Sequence, residues 1–179
     1  MKSIVLVGYM GAGKSVVASA LSDAWHLPLV DTDKMIEKRL GMRISDYFAK
    51  EGEEAFRRWE EEILKELAGR DFSGVLSTGG GMVLRRECRS LMKKLGPVVW
   101  LRASADTIAY RLRKDTTRPL LAGTRSVKEK AARISEMLKK REDYYREASE
   151  LVLDTDDKSV SEIVSFLTGY YCYNTIDTL

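Results

Sequence analysis

Short apolar runs alternate with longer stretches of helical period along this 179-residue chain. The runs Ser3–Gly8, Leu27–Val30, Val75–Ser77, Val98–Leu101 and Leu151–Leu153 are nearly continuous in apolar residues, the pattern of strands buried on both faces. Between them Val17, Ala20, Leu21 and Ala24 recur at helical spacing, as do Phe56, Trp59, Ile63 and Leu67. Strands and helices in alternation predict an α/β fold, a five-stranded parallel sheet flanked by helices in a three-layer sandwich. Two segments break the rhythm. Residues 31–70 hold several helical stretches and no strand, which predicts a helical subdomain inserted over one end of the sheet. Residues 113–126 are polar, contain a Pro and a Gly, and predict a mobile loop before a long helix near 127–148. No repeat, low-complexity tract or linker divides the chain, so residues 1–179 are expected to form one domain.

Composition narrows the chemistry. At 44% hydrophobic and 32% charged, the chain has material for a core and is not disordered over most of its length. Thirty Lys and Arg against 27 Asp and Glu leave +3, too balanced to argue for a nucleic-acid partner. His26 is the single histidine, which excludes catalysis by several histidines. Cys88 and Cys172 lie far apart, so no zinc site is expected, and so few cysteines suggest a reducing compartment. The first apolar run, Ile4–Val7, is too short for a membrane span or a signal peptide, so a cytoplasmic protein without a membrane partner is expected.

Gly8-Tyr9-Met10-Gly11-Ala12-Gly13-Lys14-Ser15 fits the phosphate-loop pattern, with an apolar strand before it and an amphipathic helix after it. Glycines let successive N–H groups turn toward an anion, and the helix N-terminus adds partial positive charge. Lys14 can reach the β- and γ-phosphates, and the Ser15 hydroxyl can bind Mg²⁺. The motif predicts a P-loop NTPase-type fold that binds ATP or another nucleoside triphosphate with Mg²⁺. It does not separate kinase, switch and motor, and a glycine-rich turn with an incidental lysine is the plain alternative.

Ligands bind beyond the carboxyl ends of parallel strands, which brings Asp31 and Asp33 beside that loop. Two apart in an extended segment, they would point the same way, Asp31 toward the metal and Asp33 toward an acceptor hydroxyl. The alternative is that one of them only caps the following helix. Gly79-Gly80-Gly81 follows the third strand and permits close approach of a substrate, or is simply a flexible turn. Arg57 has Glu60 at i+3 to hold its guanidinium. A solvated ion pair is the alternative for Arg57, as for Arg141. One carboxylate substrate would give Arg57, Arg141 and the glycines a common purpose.

Together these residues resemble the shikimate kinase family over nearly the whole chain, from about Lys2 to Leu167. The resemblance is carried by Gly8–Ser15, Asp31-Thr32-Asp33, the run Phe48–Arg57, the Arg57 and Glu60 pair, Val75–Gly81 and Arg118-Pro119-Leu120-Leu121. It implies transfer of the ATP γ-phosphoryl group to the 3-hydroxyl of shikimate; separately, a monomer is expected. It also implies nucleotide contacts from Gly11, Ala12, Gly13, Lys14, Ser15 and Val16, with Arg111 and Lys158 lining the adenine site. Asp33, Arg57, Gly79, Gly80, Gly81 and Arg141 would bind shikimate, Asp33 being the candidate base. Ser15 and Asp31 would hold Mg²⁺, Asp31 through water. Arg118 would contact the phosphates from a closing lid, 113–126, whose Leu120 and Leu121 supply apolar surface to cover a substrate. The segment from Gly169 to Leu179 has no counterpart in the resemblance. A kinase for another hydroxy acid such as gluconate, or a nucleotide-dependent switch, remains open. The N-K-x-D signature of guanine-specific switches is absent.

Overall fold

Side chains alternate across a strand, so Val5 and Val7 of β1 (Ser3–Val7) face one side while Ile4 and Leu6 face the other. All four are fully buried in the computed structural model, which describes residues 3–115, 121, 123–124 and 126–176, the last five as backbone. An unbroken apolar run is therefore what this position requires. Each such side chain contributes about 1.5–3 kcal/mol by leaving water.

The sheet is parallel throughout, in the order β2 (Leu29–Asp31), β3 (Gly74–Ser77), β1, β4 (Val98–Arg102), β5 (Leu151–Asp154). One face packs on α2 (Thr32–Leu40), α3 (Ile44–Ala68), α4 (Arg86–Leu95) and α6 (Val127–Ala148), through Ile36, Phe56, Ile63, Met92 and Tyr145. The other packs on α1 (Lys14–Trp25) and α7 (Val160–Ile176), through Val17, Leu21, Ile163 and Leu167. The short α5 (Ala105–Arg111) joins α6 in a third cluster behind the loop after β1, where Ile108, Leu112 and Ile134 surround Tyr9 and Ala12. After β3 the chain crosses β1 to reach β4. The crevice at the carboxyl end of β1 is thus the switch point where open α/β sheets bind ligands.

All five strands fall where the apolar runs put them, but β2 differs in character. It is an edge strand of three residues, and Leu29 is 39% exposed. It starts late because the Leu27 N–H bonds back to the Ser22 carbonyl and Pro28 has no N–H. Residues 31–70 contain α2 and α3 and no strand, and α3 is two helical pieces meeting at Gly52, whose φ of 82° breaks the helix. Past Gly169, α7 continues to Ile176. Trp25 Nε1 donates to Thr168 Oγ1 at 2.8 Å, and the Trp25 ring meets Tyr171 edge-on at 6.5 Å. Leu121 is buried with Leu112 and Ile134, where it closes the cluster behind Tyr9. No helix among the described residues is long and apolar enough to cross a membrane.

Candidate active site

A cleft of about 780 Å³ opens at the carboxyl end of the sheet and collects side chains from the loop after β1, from α2 and α3, from the glycine turn after β3 and from α6. On one side the chain wraps from β1 into α1 through Gly11 (φ 78°) and Gly13 (φ 100°), left-handed values that suit glycine alone. Lys14 is buried at the first position of α1, and its Nζ donates to the carbonyls of Gly8 at 2.7 Å and Tyr9 at 3.0 Å. Arg111 braces the loop from outside, donating to Gly11 and Ala12 carbonyls and, at 2.9 Å, to that of Thr155. The first N–H groups of α1 and the Lys14 ammonium make this an anion cradle.

Asp31 does two things at once. Its Oδ1 accepts from the N–H groups of Asp33 and Lys34 and caps α2, while its Oδ2 faces Ser15 Oγ at 3.4 Å. Two hard oxygen donors therefore meet at the mouth of the cradle, a donor set that suits Mg²⁺. Because of the cap, the chain turns helical at Thr32, so Asp31 and Asp33 are not partners in one extended segment as expected. Asp33 reaches the cleft from the first turn of α2 instead. Thr32 Oγ1 accepts from the Gly79 N–H at 3.0 Å and locks that turn to β3.

Arg57 is not a solvated surface residue. It is buried, with Nη1 donating to Glu60 Oε2 at 2.6 Å and Nη2 donating to Glu53 Oε1 at 2.7 Å. The rings of Phe56 and Phe48 lie 5.6 and 6.0 Å from its Cζ. Burial alone would lower the guanidinium pKa, but Glu60 and Glu53 more than reverse this and keep it charged. Burial pushes the Glu60 carboxyl from 4.5 up to about 7 against the pull of Arg57, with Asp33 and Glu53 adding to the rise. The glycine turn is the floor of this site. A Cβ on Gly79 would lie 2.6 Å from Asp33 Oδ1 and 2.8 Å from Glu60 Oε1, and one on Gly81 would overlap the Arg57 guanidinium. Close approach, more than flexibility, is what the three glycines provide.

Arg141 lines the cleft from α6, half-buried, its guanidinium 5.5 Å from the centre of the Tyr9 ring. Gly11, Gly13, Lys14, Ser15, Val16, Asp31, Asp33, Arg57, Gly79, Gly80, Gly81, Arg111 and Arg141 all line it. Ala12 is buried behind the loop, and Lys158 is exposed and does not line the cleft. Arg118 lies outside the described residues. Sequence reasoning missed Glu53, whose i, i+4 spacing to Arg57 was a usable signal, and Tyr145, whose contact spans 65 residues and left none.

A phosphate cradle at the switch point, facing a buried arginine across one cleft, defines an ATP-dependent small-molecule kinase of the P-loop class. The family model for shikimate kinase matches residues 10–169. A shikimate kinase of Thioalkalivibrio sulfidiphilus is 42% identical over 177 residues, covering 99% of this chain and 90% of its own. One of Bacillus anthracis is 44% identical over 167 residues, covering 93% and 96%. The structure of the shikimate kinase from Acinetobacter baumannii in complex with shikimate superposes with a TM-score of 0.88, at 32% identity over 97% of this chain and 94% of that one. The chain belongs to the shikimate kinase family, whose members transfer phosphate from ATP to a small molecule in aromatic amino acid biosynthesis.

Proposed function

We propose that this chain transfers the γ-phosphoryl group of ATP to the 3-hydroxyl of shikimate, giving shikimate 3-phosphate and ADP. The observation that carries the reading is Arg57, buried and held by two carboxylates over the glycine turn, in the same cleft as the phosphate loop. Arginine binds carboxylates bidentately, and shikimate presents one carboxylate on a ring of hydroxyls. Arg57 and Arg141 hold the carboxylate and the turn supplies backbone contacts. Asp33 orients the acceptor hydroxyl and takes its proton as the new O–P bond forms and the bond to the ADP oxygen breaks. Lys14 neutralises charge on the transferring group, as phosphoryl transfer demands. Ser15 and Asp31 would hold Mg²⁺, which neutralises phosphate charge when bound. Arg111 and Lys158 serve the adenine, residues 31–70 form the acceptor subdomain, and 113–126 is a lid bringing Arg118 to the phosphates. The protein acts as a monomer.

The test is ADP release from Mg-ATP with a panel of hydroxy acids. Release that depends on shikimate supports the reading, whereas release with gluconate and none with shikimate overturns it. Lys14→Met should abolish transfer while leaving the circular dichroism spectrum intact.

A further inference from the structure

Tyr145 follows Arg141 by one turn on α6, so both side chains leave the same face of the helix. Its ring is fully buried and stacks on Trp100 of β4, 5.3 Å between centroids and 14° between planes. That packing needs no hydroxyl. The phenol nevertheless donates to the Gly80 carbonyl at 2.5 Å. Burial raises its pKa well above the ordinary range, with Arg141 pulling the other way, so the group stays a donor. Tyr145 is not among the residues that line the cleft.

The Gly80 carbonyl and the Gly81 N–H belong to one planar trans peptide and point in opposite directions. Drawing the carbonyl toward the Tyr145 hydroxyl therefore directs the Gly81 N–H away from that hydroxyl, and Gly81 itself lines the cleft against Arg57. Among the described residues no acceptor takes that N–H. On its other side Gly80 is closed in by the phosphate loop, where a Cβ would lie 3.1 Å from Met10 N and 3.4 Å from the Gly8 carbonyl oxygen. We infer that Tyr145 is a positioning residue for the acceptor: its hydroxyl holds the Gly80–Gly81 peptide so that the Gly81 N–H and Arg57 present one joint site to a carboxylate. This rests on the carboxylate acceptor proposed above.

Tyr145→Phe keeps the stacked ring and removes only the hydroxyl. Its shikimate Kd and KM should rise on the order of tenfold, as for one misdirected buried hydrogen bond, with kcat and the Kd of a non-hydrolysable ATP analogue within about twofold. In the ligand-free protein the Gly81 amide resonance should shift. Trp100→Phe disturbs the packing and keeps the hydroxyl, so it should lower the melting temperature and leave shikimate affinity near wild type. Unchanged shikimate affinity in Tyr145→Phe, or equal loss of shikimate and nucleotide affinity, overturns the assignment. If the wild type does not bind shikimate, the acceptor reading has failed, and the Gly81 resonance decides the hydroxyl's role: a shift upholds it and an unmoved resonance ends it.

Discussion

Gly81 leaves free the space that the Arg57 guanidinium fills: a methyl group on the glycine would overlap it. Loss of Arg57 removes the acceptor's charged partner, so Arg57→Ala should weaken shikimate binding by about 2–5 kcal/mol, the range for truncating one partner of a buried charge pair. Gly81→Ala should weaken it too, because the guanidinium must leave its seat. The two act on one interaction, so the double variant should lose no more than Arg57→Ala alone. Calorimetry with shikimate checks all three, and additive losses would show that glycine and arginine work independently. ATP affinity should barely change in any of them. The individual residues of this site were legible as a set of types: glycines, an arginine and paired acids at the right ends of strands. What they do to one another was not. Whether Arg57 sits in water or under Phe56 and Phe48 depends on α3 being docked on the sheet, which spacing along the helix does not report.

At the scale of elements, strand positions followed from apolar runs because a strand covered on both faces has no room for polar alternation. β2 starts two residues later than its apolar run, because the Leu27 N–H bonds back to the Ser22 carbonyl and Pro28 has none to give. The start of α2 was also misjudged, since an aspartate that caps a helix ends the extended chain where it stands. The largest surprise is α7. Its last turns have no counterpart in the resemblance, and the ring that ties them to the core, Trp25, lies on the first helix, far from Tyr171 in sequence. Leu167 and Tyr171 are buried in the α1 face of the sheet. Tyr171→Ala should therefore cost about 2–4 kcal/mol, the range for emptying a large buried site. Urea unfolding measures this, and kcat at low temperature should stay near wild type because no described side chain of α7 lines the cleft. A change below about 0.5 kcal/mol, the usual surface value, would mean that the helix end is not part of the core.

At the scale of the whole molecule, Glu60 carries a charge whose cost varies with pH. Glu60 faces Arg57 and Glu53 on its own helix, Asp33 on α2 and Cys88 on α4. Its carboxyl is raised in the folded state from 4.5 to about 7, so the fold holds a proton there that the unfolded chain has released. The folded state is then favoured at low pH, and this contribution is lost as pH rises from about 4.5 to about 7. Its slope is at most about 1.4 kcal/mol per pH unit. Denaturant unfolding of the wild type against Glu60→Gln should show this decline in the wild type only. Parallel profiles would remove Glu60 from the account. The strands at the two ends of the sheet are both short. β2 is three residues long, preceded by a proline and cut off by the helix that Asp31 starts. β5 is four residues long and ends in the ion pair between Arg102 and Asp154. Neither offers a stranger's backbone a run of free N–H and C=O groups long enough to template intermolecular strand addition. Concentrating the protein should therefore not recruit further strands at these two edges.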